Sequence, residues 1–71
     1  MYIFHTKAGA FSIVQKAGRW HVIYLNENLG NYASPRLAAA DVSVGHTFPP
    51  SNGVDPGSLG IPEDLNEWEF K

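Results

Sequence analysis

Four carboxylates, Glu63, Asp64, Glu67 and Glu69, fall within seven residues near the C-terminal end of the sequence. Paired carboxylates can serve general acid–base chemistry, but that work needs one of them desolvated and its pKa raised. The end of an 8 kDa chain offers little burial, so a solvated acidic surface that meets a basic partner is the expected role. The three histidines, His5, His21 and His46, stand far apart, without the close ligand spacing of a metal site such as His-x3-His. Ser12, Ser34, Ser43, Ser51 and Ser58 lie in no Gly-x-Ser-x-Gly elbow. The seven glycines form neither a dinucleotide fingerprint nor a Walker loop. With no cysteine there is no disulfide framework, thiolate nucleophile or thiolate-held zinc. No catalytic, metal or cofactor site is expected.

The elements that must carry these residues are few. Seventy-one residues make one domain, expected to keep ~4,400 Å² of the ~11,000 Å² its unfolded chain exposes. Hydrophobic residues at 44%, nine of them aromatic, must hold that core by packing alone. The formal charge of −2 is unevenly placed. Residues 1–45 carry four Lys and Arg against two carboxylates, and residues 46–71 carry one against five. Fields this weak do not by themselves imply a nucleic-acid or membrane partner. No apolar run approaches the ~20 residues of a membrane span, and the first residues lack the pattern of a secretory signal. A cytoplasmic protein is expected.

Tyr2 to Thr6 is rich in strand formers and ends at the turn-like Lys7-Ala8-Gly9. Ala10 to Lys16 and Trp20 to Leu25 read as a hairpin across Ala17-Gly18. Asn26-Glu27-Asn28 reads as a polar turn, and Leu29 to Tyr32 as the next strand. Counting back from the hairpin turn sets Gln15 opposite Trp20, Ile13 opposite Val22 and Phe11 opposite Tyr24 on a core face. The other face takes Lys16 with Arg19, Val14 with His21 and Ser12 with Ile23. Ser34 is a favoured N-cap, Pro35 suits the first helical position, and Arg36 to Val44 continues the helix to a stop at Gly45. Residues 46–71 are broken by proline and glycine. Phe48, Val54, Leu59, Ile61, Leu65, Trp68 and Phe70 nevertheless recur, which predicts an ordered wrapping segment, with Pro62 opening a last helical turn. The expected architecture is α+β: a small antiparallel meander of three to four strands on one α-helix (1–45), wrapped by a Pro/Gly-rich acidic tail (46–71).

The segments Gly18-Arg19-Trp20-His21-Val22-Ile23-Tyr24, Leu29-Gly30-Asn31-Tyr32-Ala33-Ser34 and Ala38-Ala39-Ala40-Asp41 together resemble the AP2-type DNA-binding domain. The match spans about residues 10–44. The chain is also similar to small bacterial domains with a Leu-Gly-x-Tyr-x-Ser-Pro corner and a Trp-containing acidic end. The AP2 resemblance implies a three-stranded sheet on one helix, with cations on the outer sheet face reading DNA. Here only Lys16, Arg19 and His21 fit that role. The neighbouring outward positions are Ile23 and Leu25, so specific DNA binding is not expected. That apolar face needs a cover, and the tail, through Leu59, Ile61 and Trp68, is the expected one.

The expected function is a non-enzymatic protein-interaction module, similar in size and lack of motifs to phage and mobile-element inhibitors such as anti-CRISPR proteins. Its expected partner-binding residues are Glu63, Asp64, Glu67 and Glu69, mimicking phosphates against a basic, nucleic-acid-binding surface of another protein. Tyr2 and Phe4 are further residues that the expected fold leaves without a role. The alternative is an AP2-like DNA-binding module using Lys16, Arg19 and His21.

Overall fold

The computed structural model describes residues 1–71. Four strands follow one another, β1 (Tyr2–Thr6), β2 (Gly9–Lys16), β3 (Arg19–Tyr24) and β4 (Glu27–Tyr32), before the single helix α1 (Pro35–Ser43). The tail adds two short 3₁₀ turns, Pro56–Ser58 and Leu65–Glu67, and a fifth strand, β5 (Glu69–Phe70). All five strands form one antiparallel sheet in the order β4-β3-β2-β1-β5. The domain is α+β, and the sheet is one strand larger than the expected meander because the tail returns to pair with β1.

The hairpin register of β2 and β3 is the one the sequence predicts, with Phe11, Ile13 and Gln15 opposite Tyr24, Val22 and Trp20. Phe11 and Tyr24 stack at 4.3 Å between ring centroids. The next turn differs from expectation. Leu25 and Asn26 both take positive φ (49° and 64°), so they form the tight turn, and β4 already begins at Glu27. A bulge between Val22 and Ile23 lets Gly30 and Asn28 pair across it. Leu29, the residue between them, is buried in the core.

Ser34 caps α1 by accepting the Leu37 amide at 3.2 Å, and Pro35 occupies the first turn. The small side chains Ala38 and Ala39, with Val42, face the sheet and are fully buried. Close approach of this stripe seals Phe11, Ile13, Val22 and Leu29 in one core. Within the sheet the helix packs chiefly on β2, β3 and β4, which leaves the β1 side of the same face to another cover.

That cover is the tail. Ile61 and Trp68 join the core cluster, and Val54, Leu59 and Leu65 pack against it half-buried. Trp68 lies 5.7 Å from Phe4, which pairs with Phe11 in β2 and therefore faces the helix side of the sheet. The tail thus packs beside the helix instead of over the outward face. Completing the core under a nine-residue helix buries large aromatic area that the outward face, already half polar, does not offer. Phe48 and Phe70 depart from the wrapping pattern, staying 72% and 70% exposed. The last turn is capped by Asp64 and spans Leu65–Glu67, later than a start at Pro62.

Polar clasps hold the first half of the tail. The Glu27 carboxylate accepts the Ser51 amide at 3.0 Å and its hydroxyl at 3.1 Å. The Asn52 amide donates to the Tyr24 hydroxyl at 3.2 Å, and that hydroxyl donates to the Ala8 carbonyl at 2.7 Å. Asp55 caps the turn that opens at Pro56. The folded surface is 4258 Å², close to the size-scaled expectation.

Candidate functional site

The largest concavity is an open groove of about 1020 Å³ between α1 and the C-terminal segment. The helix wall carries Arg36, Leu37 and Ala40, and the tail wall carries Glu63, Asp64, Leu65 and Asn66. Tyr2, Trp68 and Phe70 complete it. The groove exists because of how the helix is rotated. Ala38, Ala39 and Val42 point into the core, so Leu37 and Ala40, three positions apart, look sideways toward β1 and β5. Leu37 stays 53% exposed. Across β1 and β5 the register sets Tyr2 against Phe70, edge to face at 4.9 Å. Trp68 is held firmly, since its indole N–H donates to the Pro62 carbonyl at 2.9 Å.

The four carboxylates divide between two places. Glu63 and Asp64 stand on the tail wall of the groove, and Asp64 also accepts the Asn66 amide at 2.9 Å. Glu67 is exposed at the end of the same turn. Glu69 pairs in register with Ile3, so it projects from the opposite face of the sheet, and there it meets Lys71 at 3.9 Å. That is the only ion pair between side chains in the structure, which leaves Glu63, Asp64, Glu67 and the facing Arg36 without one.

The outward sheet face is open. Lys16 and Arg19 are exposed register partners at the hairpin end, and His21 pairs with Val14 and Asn31 beside them. Arg19 is oriented by Asn31, its Nε donating at 2.9 Å. His21 uses both ring nitrogens internally: Nδ1 accepts from Asn28 at 2.9 Å and Nε2 donates to the Lys16 carbonyl at 3.2 Å. Asn28 is itself fixed by the Gly30 amide, so this is the Nε2-protonated tautomer. Ile3, Val14 and Ile23 form the half-buried apolar centre of the face.

One titratable group is strongly perturbed. Burial first, and then the charge and hydrogen bonding of Asp41, push the Tyr32 phenol up from 10.0 to about 12. Because the folded value is raised, the contribution to stability is complete below pH 10 and is lost as pH rises from 10 toward 12, where the unfolded chain ionises first. Melting curves between pH 9 and pH 12 are expected to fall more steeply for the native chain than for Tyr32→Phe. Parallel curves would show that Tyr32 has no part in alkaline unfolding.

The sequence singles out Glu63, Asp64, Glu67 and Glu69 as expected partner-binding residues, but the groove wall on which Glu63 and Asp64 stand is visible only in the fold. Leu37, Ala40 and Arg36 were legible only as helix formers. The available signal was a leucine lying off the Ala38, Ala39 and Val42 stripe. No family model, no curated protein and no solved structure matches this chain.

Proposed function

We propose that this chain is a small non-enzymatic interaction module, an inhibitor or adaptor of the kind phage and mobile elements encode, acting in the cytoplasm. It docks through its acidic C-terminal wall on a basic, nucleic-acid-binding surface of another protein. The observation that carries this reading is the groove itself. Exposed Leu37 and Phe70 are contiguous with carboxylates that no cation of the chain neutralises. Exposed apolar anchors beside complementary charge are the anatomy of a docking patch. Charges at the rim chiefly speed association, and salt weakens them.

The test is affinity capture of a partner with the native chain and with Glu63→Lys, Asp64→Lys and Glu67→Lys combined. Binding that falls with ionic strength and is lost in a still-folded triple variant is expected. Glu69→Lys should matter little, because Glu69 lies on the other sheet face against Lys71. A partner that binds the triple variant as tightly as the native chain would sink the proposal.

A second reading, an AP2-like DNA-binding module, is favoured by one observation, the open sheet face bearing Lys16, Arg19 and His21. Three such groups suit weak binding in the non-specific range of ~10⁻⁴–10⁻⁶ M at physiological salt. A nanomolar, sequence-specific gel shift lost on charge reversal of Lys16 and Arg19 would favour this reading over the first.

A further inference from the structure

We propose that the groove between α1 and the C-terminal segment captures a peptide segment that presents one large apolar side chain with a lysine or arginine beside it. The proposal rests on the docking reading above and names the chemistry of the partner at that site. Leu37 on the helix wall and Phe70 across the groove are each more than half exposed, and Tyr2 and Trp68 lie between the walls. One aliphatic or aromatic side chain set among these four would be covered on several sides, as interface anchors are. At about 1020 Å³ the groove has room for such a side chain and the backbone on either side of it.

Charge selects among possible occupants. Glu63 and Asp64 on the tail wall have no cation within ion-pair distance. One Asp64 oxygen already receives the Asn66 amide, and Glu63 is free of such bonds. A cation next to the anchor would meet both carboxylates, whereas an acidic segment or a phosphate backbone would be repelled there. Arg36 stands on the opposite wall. Its charge gives the groove a polarity, so the bound segment must place its cation on the tail side. A second copy set groove against groove offers a poor fit, because a concave wall supplies no projecting side chain.

The test is an NMR titration of the isotope-labelled chain with three synthetic probes. The first is N-acetyl-Lys-Gly-Trp-Gly-Lys-amide; the second replaces both Lys by Glu; the third replaces Trp by Gly. Saturable shifts at Leu37, Ala40 and Leu65 are expected with the first probe. The other two should bind at least about tenfold more weakly. Leu37→Ser, at an exposed position, should remove binding while the remaining spectrum stays dispersed. Glu63→Lys with Asp64→Asn, which keeps the capping oxygen, should abolish the preference for the cationic probe. Equal binding of the acidic probe, shifts centred outside the groove, or no binding would overturn the proposal. So would self-association in sedimentation that Leu37→Ser abolishes, since a second copy would then occupy the site. If the probes fail while the triple lysine variant still loses its captured partner, the docking module stands and only this assignment of its ligand falls.

Discussion

Replacing Trp68 by alanine is expected to cost about 3 kcal/mol, the low end of the range for a buried aromatic. Trp68 is only 5% exposed and packs on Phe4. Its N–H is satisfied by the Pro62 carbonyl, so the substitution also removes the bond that closes the loop onto β5. A domain of this size has a total stability of about 4–11 kcal/mol, and the loss should lower Tm on the order of 15 °C. Removing everything after Gly57 would strip away Ile61, Trp68 and β5 together and should abolish cooperative unfolding. A truncated chain that melts like the native one would show that the tail is not part of the core.

Gly45→Ala is expected to cost about 2–3 kcal/mol. Gly45 ends α1 at φ 75°, where a Cβ is strained. A Cβ there would lie 2.9 Å from an Asp55 carboxylate oxygen and 3.1 Å from the Gly57 amide nitrogen. The oxygen cannot move away freely, because it accepts that same Gly57 amide at 3.0 Å. From the other side, a Cβ on Gly57 would meet the Val44 carbonyl at 3.0 Å. Two glycines therefore let the helix end and the Pro56 turn touch backbone to backbone. Gly53→Ala is the control, since Gly53 has φ 81° but nothing within 4 Å of its Cβ position. It should lose only the conformational part, about 1 kcal/mol. Equal losses at Gly45 and Gly53 in denaturant titrations would show that the close contact contributes nothing.

The parts of the fold legible in the sequence were those determined by local chemistry. The Ala17-Gly18 turn sets the hairpin register, and Ser34-Pro35 sets the start of the helix. The Leu25-Asn26 turn lies one step earlier than the polar run Asn26-Glu27-Asn28 suggests, because leucine is a poor marker for positive φ. β5 is not legible in the sequence because Glu69-Phe70 is two residues long and has no strand signature of its own. The side of the sheet on which the tail packs is likewise a tertiary choice, decided by how much of the aromatic face a short helix leaves open. For the same reason Glu63 and Asp64 could be named from sequence, whereas their separation from Glu69 follows from a two-residue register with β1.

The pairing of β1 with β5 determines when the groove can form. The backbone amide of Lys71 donates to the Met1 carbonyl at 2.7 Å, so residues 1 and 71 close a long loop. Closing so long a loop is entropically costly and comes late, after the adjacent hairpins have formed. Tyr2 lies at one end of that loop, and Glu63 to Phe70 lie at the other. A chain that has formed only its adjacent hairpins therefore still lacks the groove, because the wall from Glu63 to Phe70 comes to Tyr2 only when β5 pairs with β1.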